Sequence, residues 1–123
     1  MAIDLGCGNL RNSNLASMYG YNVISVDAAG DYGIQAHLGR DPIPAEDGCA
    51  HLILCNYLMC FMTERERRNL IKEIRRVSRN GAYAVVEMYP AKNGRPYSLD
   101  RIIRQLDWQI VRRSKDRFIA RSE

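Results

Sequence analysis

The stretch that decides the fold is Ala2-Ile3-Asp4-Leu5-Gly6-Cys7-Gly8-Asn9. A short apolar run encloses Asp4, and two glycines then flank a single residue. Glycine has no Cβ, so both positions can turn tightly and let another group approach the backbone. A helical pattern follows from Leu10 to Tyr19, and Gly20 is placed to end it in a left-handed conformation. A second apolar run, Asn22 to Val26, closes on Asp27. Strand, glycine turn, helix, strand, acid is the opening of a parallel α/β sheet.

The rest of the chain extends that pattern. Ile34 to Leu38 reads as a third strand, and Gly39 to Gly48, with Pro42 and Pro44, reads as loop. Ala50 to Cys55 is a near-continuous apolar run, the signature of a central parallel strand buried on both faces. Thr63 and Glu66 form a capping box ahead of the apolar stripe Leu70, Ile71, Ile74 and Val77, with Gly81 as the stop signal. Ala82 to Met88 is the next strand, 90–96 a loop, and Ser98 the cap of a short helix carrying Leu99, Ile102, Ile103 and Leu106 on one face. Trp108 to Arg113 and Phe118 to Arg121 read as a hairpin turning near Lys115-Asp116. The order β-α-β-β-β-α-β-α-β-β predicts a Rossmann-like, mostly parallel sheet with a C-terminal antiparallel hairpin. With 123 residues, the chain is expected to form a single domain over 1–123.

The glycine turn has a chemical use. The helix start beyond it offers free amides and partial positive charge. Asp27 can accept hydrogen bonds from both hydroxyls of a ribose, so the pair fits an adenosine-containing cofactor. A nicotinamide-binding turn calls for a small residue where this chain has Arg11, because helix and strand must pack closely there. The terminal strand pair points away from a nicotinamide domain as well.

On these residues the chain resembles the class I S-adenosylmethionine-dependent methyltransferases, in particular the small methyltransferase type 11-like group. Asp4-Leu5-Gly6-Cys7-Gly8 is similar to that family's first motif, and Asp27 to the acid that holds the cofactor ribose. Asp41 to Gly48 resembles the loop into strand four, and Leu52 to Tyr57 that strand and the segment facing substrate. Ile71 to Val77 followed by Asn80-Gly81 resembles the helix before strand five, and the hairpin resembles strands six and seven. The resemblance implies S-adenosyl-L-methionine as cofactor and methyl transfer to an unidentified small-molecule or macromolecular acceptor. It implies that Asp4, Gly6 and Gly8, with Cys7 between the glycines, line the methionine moiety. Asp27 would meet the ribose, the backbone around His37 and Leu38 the adenine, and Asn56 and Tyr57 the sulfonium and the acceptor.

The chain departs from that pattern in several places. Leu10 stands where the third glycine would be, His51 where an acid often opens strand four, and Leu38-Gly39-Arg40 where an acid often follows strand three. Asn56-Tyr57-Leu58-Met59 is not Asn-Pro-Pro-Tyr, which points away from amino methylation of a DNA base. No general base is placed by spacing, and methyl transfer can proceed by positioning, so no catalytic residue is assigned. Starting at the first strand, the chain reads as a minimal version without the N-terminal helices. One sheet face is then expected to be covered by self-association or by a partner chain. A cofactor-binding or scaffolding subunit without independent activity is the alternative function.

Composition narrows the remaining classes. No apolar run approaches the ~20 residues that span a bilayer, and the start does not read as a signal peptide. Cys7, Cys49, Cys55 and Cys60 form no CxxC pair, so neither zinc nor a disulfide framework is implied, and buried reduced thiols in a cytoplasmic protein are expected. The net charge is +4, with arginines crowded between Arg65 and Arg79. That crowding reads first as a solvated helix face and second as a phosphate-contacting stripe for nucleic acid. Met59, Cys60, Phe61 and Met62 read as apolar filling or the wall of an acceptor pocket.

Overall fold

A computed structural model describes residues 1–89 and 99–123, so the expected loop 90–96 and the Ser98 cap lie outside the described residues. Its centre is a seven-stranded sheet. In chain order the strands are β1 (Ala2–Leu5), β2 (Val23–Asp27), β3 (Ile34–Gln35), β4 (Ala50–Asn56), β5 (Ser78–Glu87), β6 (Gln109–Arg113) and β7 (Arg117–Arg121). Their spatial order is β3-β2-β1-β4-β5-β7-β6. All neighbours from β3 to β5 run parallel. β7 runs antiparallel to both β5 and β6, so the hairpin places one reversed strand in the sheet, as its sequence predicts.

The helices are α1 (Arg11–Met18), α2 (Glu64–Val77) and α3 (Leu99–Leu106), with a 3-10 turn at Met59–Phe61. α2 begins with the full capping box: Glu66 N–H donates to Thr63 Oγ1 at 3.2 Å, and Thr63 N–H donates to Glu66 Oε1 at 3.1 Å. Its buried stripe, Leu70, Ile71, Ile74 and Val77, joins Leu99, Ile102 and Leu106 of α3 over Ile3, Leu5, Ile53, Cys55, Ala84, Val86 and Phe118. Since side chains alternate along a strand, this cluster occupies one face of the sheet. Trp108 packs on its margin.

α1 packs on the opposite face, over β1 and β2. The register puts Leu52 and Leu54 of β4, Tyr83 and Val85 of β5, and Ile119 of β7 on that same face. All five are half-buried or exposed.

Two expectations need correction. The third strand stops at Gln35 rather than running to Leu38, because only Val26 and Asp27 of β2 offer it a partner, and the chain then turns at Gly39 (φ 91°). Gly81 does not stop α2. The helix ends at Val77, where Ser78 takes an extended conformation and its hydroxyl caps the Ile74 carbonyl at 2.6 Å. Gly81 lies inside β5, where the register against β4 jumps from Ala50↔Ser78 to Leu52↔Tyr83. Its φ of 81° is the break in pairing that only glycine takes without strain.

Candidate functional site

The strand order reverses between β1 and β4, and the crevice beyond the C-terminal ends of those strands is where an open α/β sheet places ligands. Leu5 pairs with Cys55, so the glycine turn after β1 sits beside Asn56 at the end of β4. The turn is built from left-handed residues: Gly6 at φ 72°, Gly8 at 49° and Leu10 at 70°. Gly6 and Cys7 both donate their amides to the Val26 carbonyl, at 2.8 and 3.0 Å. Leu10 precedes α1 and offers no side-chain cap, and the first helical amide, that of Arg11, donates instead to Asn9 Oδ1 at 3.3 Å.

Asp27 organises this turn directly. Its Oδ2 accepts from the Gly8 amide at 2.9 Å, and its Oδ1 accepts from the Ala29 amide at 3.0 Å. Each carboxylate oxygen carries two acceptor sites, so each retains one for a further donor.

Asp4 is placed differently. It is 1% exposed and accepts from the Ser13 hydroxyl at 2.7 Å; the hydroxyls of Ser13 and Ser25 are also 2.7 Å apart. Burial pushes its pKa up. Asp4 therefore ties β1, α1 and β2 together beneath the turn and lines neither of the clefts above it.

The clefts adjoin. The smaller, about 210 Å³, is lined by Gly6, Asp27, Ala28, His37, Leu38, Leu58, Phe61, Met62 and Glu66. The larger, about 1050 Å³, is bordered by the turn from Gly6 to Asn9, by one side of α1, and by Asn56, Tyr57, Phe61, Glu87 and Tyr89. Gly6 and Phe61 border both. Of the sequence-predicted residues, Asp27, His37 and Leu38 thus gather in the small cleft, and Cys7, Gly8, Asn56 and Tyr57 in the large one. Gly6 stands between.

Three exposed aromatics wall the large cleft. Tyr57 and Tyr89 stack with ring centroids 4.4 Å apart, and Phe61 meets Tyr89 edge-on at 5.9 Å. Tyr57 adopts a left-handed backbone, φ 58°, and its amide donates to the Glu87 carbonyl at 2.6 Å. Desolvation and the neighbouring Glu87 carboxylate push its phenol pKa up. Glu66, Glu87 and Tyr89 were missed as site residues in the sequence. Glu87 and Tyr89 could have been found there, because both lie at the C-terminal end of a recognisable parallel strand. Glu66 was read only as half of a capping box.

Cys7 and Cys55 are not poised as nucleophiles. Burial raises the pKa of Cys7, and that of Cys55 is pushed up to about 12. The arginines of α2 largely donate inside the chain. Arg67 holds the Met62 carbonyl and Glu64, Arg75 the Leu106 carbonyl, and Arg76 both Glu73 and Asp47. Arg79 meets His51.

The sequence model of the methyltransferase domain family matches residues 3–86. No curated protein matches the chain by sequence. Among solved structures, a TehB-like SAM-dependent methyltransferase from Corynebacterium glutamicum is 19% identical, at a TM-score of 0.76 over 99% of this chain and 79% of that one. The 1,6-didemethyltoxoflavin-N1-methyltransferase of Burkholderia thailandensis, solved with S-adenosylhomocysteine, is 11% identical at a TM-score of 0.79, over 98% of this chain and 70% of that one. The [4+2]-cyclase SpnF is 14% identical at a TM-score of 0.70, over 90% of this chain and 51% of that one. These likenesses share a class I methyltransferase fold with the chain, and the cyclase illustrates that one fold hosts more than one chemistry.

Proposed function

The chain belongs to the methyltransferase domain family, and on that premise we propose that it binds S-adenosyl-L-methionine across its two clefts and transfers the methyl group to an acceptor in the larger one. The observation that carries this reading is the shared border at Gly6: an acid-lined cleft on one side, an aromatic-walled cleft on the other. Space at the turn fits a close ligand, since a Cβ at Gly8 would meet nothing within 4 Å. Asp27 keeps acceptor sites for a ribose, and three aromatic faces with the Glu87 carboxylate suit a cationic centre.

When bound, the cofactor supplies an electrophilic methyl on a positively charged sulfur, which an acceptor lone pair takes as the carbon–sulfur bond breaks. The chain's own part is positioning and charge. Gly6 and Gly8 admit the ligand to the backbone, Asp27 fixes the ribose end, and Asn56 orients groups at the junction. Tyr57, Phe61 and Tyr89 exclude water from the transfer, which is catalysis mainly by orientation. Glu87 is the one carboxylate among the described residues bordering the larger cleft, and it accepts the proton an acceptor releases.

The test is turnover. Incubated with S-adenosylmethionine and a heat-inactivated whole-cell extract that keeps small molecules and macromolecules, the chain should release S-adenosylhomocysteine at a rate that depends on the extract and falls at least tenfold in Asp27→Ala, losing hydrogen bonds to a charged group worth about 1.5–3 kcal/mol each. No release above buffer would overturn methyl transfer by the chain alone. It would favour the second reading, a binding subunit completed by another chain, which is supported by the half-exposed sheet face over β4, β5 and β7. We propose that a second copy covers that face.

A further inference from the structure

The charge excess of the chain is local. α2 and α3 together carry eight arginines and lysines against four acids. The rest of the chain carries ten of each and is neutral, so these two helices hold the whole net charge of +4. They pack together on the sheet face opposite α1. Arg65, Arg68, Lys72 and Arg75 are exposed and recur every three or four residues, which sets them in one line along α2. At 1.5 Å per residue that line is about 15 Å long. Arg101 and Arg104 of α3 are exposed as well, and Arg101 Nη1 lies 3.6 Å from Glu64 Oε2, so α3 adds its cations beside the start of the line.

The acids of these helices are engaged elsewhere or shared. Glu64 meets Arg67 and Arg68, Glu66 closes the capping box, Glu73 holds Arg76, and Asp100 pairs with Arg113. No ion pair among the described residues includes Arg65, Lys72 or Arg104. Nor does the line serve its own helix. Like charges three and four residues apart repel, and Arg65 sits in the first turn, where the helix dipole disfavours a cation.

The chemistry of this face selects its partner. Every exposed residue of the two helices is charged apart from Asn69. No apolar side chain is there to enter a bilayer, and no aromatic to stack on an unpaired base. Five of the six exposed cations are arginine, whose planar fork matches phosphate oxygens. We propose that this face docks the chain on the phosphate backbone of duplex nucleic acid. Contacts to phosphate fix position and carry no base readout, so docking is indifferent to sequence. The face lies opposite the half-exposed one over β4, β5 and β7 and needs neither cleft filled, so it stands apart from the cofactor reading.

The test is fluorescence anisotropy of labelled DNA duplexes of about 20 base pairs and unrelated sequence, titrated with the chain between about 50 and 200 mM salt. Duplexes should bind at micromolar chain and agree within about twofold, and log K should fall with log salt at a slope of about −3 to −5, at ~0.9 per phosphate contact. The triple variant Arg65→Gln, Lys72→Gln, Arg104→Gln should flatten that slope by about 2 to 3 and weaken binding at least tenfold at about 50 mM salt. It breaks no ion pair, and an unchanged melting temperature checks that it folds. Arg112→Gln, Lys115→Gln, Arg117→Gln removes the same charge from the β6–β7 hairpin and should stay within about threefold of wild type, because contact rather than net charge sets the slope. Absence of duplex binding by the wild-type chain at the lowest salt overturns the inference. So does an equal loss in the two variants, tighter binding to a single strand of the same length, or binding to vesicles of anionic lipid without binding to duplex.

Discussion

Gly6 and Asp4 show how differently two residues of one motif work. Gly6 sits at φ 72°, and a Cβ there would lie 3.3 Å from Leu58 Cδ1. Gly6→Ala is therefore expected to lower unfolding free energy by about 1–2 kcal/mol, measured by denaturant titration, through left-handed strain. Asp4 acts from below. Its folded pKa is raised, so the folded chain favours the protonated acid. Its contribution to stability is present below its ordinary value of 3.8 and is lost as pH rises through the shifted value. Asp4→Asn keeps an acceptor for Ser13 without the buried charge. It should be at least as stable as wild type at pH 7 by thermal melting, and the difference between the two should shift in favour of Asp4→Asn as pH rises through the raised value. The sequence made both residues visible as a motif. It did not separate the buried acid from the cleft-lining one, because that depends on Ser13 and Ser25 closing over Asp4 from elements far apart in the chain.

Among the elements, α2 was the most legible: cap and stripe agree in sequence, and the structure has both. Its acid response follows from Glu64, whose pKa is held down to about 2 by hydrogen bonds from Arg67 and Gln105. A depressed carboxylate stabilises the fold above its ordinary value, 4.5, and that contribution disappears as pH falls toward 2. Melting curves of Glu64→Gln across this window should lose part of the acid-induced fall seen in wild type; parallel curves would remove Glu64 from the account. Thr63→Ala should lower stability by about 1 kcal/mol in the same assay through loss of the cap. The short third strand and the early start of β5 were not legible. Both depend on which neighbour is within reach, and local propensity carries no record of that. The glycine at the pairing break in β5 looked like a helix stop because both uses call for positive φ.

At the scale of the whole molecule, alternation of strand and helix was enough to specify a mostly parallel sheet with one reversed strand. The match of residues 3–86 to the methyltransferase domain family agrees with that reading. What alternation could not specify is how the clefts are walled, since Glu87 and Tyr89 join Asn56 and Tyr57 only through the β4–β5 pairing. No helix among the described residues is long and apolar enough to cross a membrane. The face carrying Leu52, Leu54, Val85 and Ile119 is expected to drive self-association. Light scattering at high concentration should give a mass above one chain, and Val85→Glu should return it to one. The central claim is that the glycine turn and Asp27 hold an adenosine-containing cofactor, and thermal melting with S-adenosylhomocysteine tests it most directly. At a hundred times Kd the ligand should add about 2.7 kcal/mol of stability to the wild-type chain, and about half of that or less to Asp27→Ala at the same concentration. An unshifted wild-type melting temperature at millimolar ligand, or an equal shift in Asp27→Ala, would contradict it.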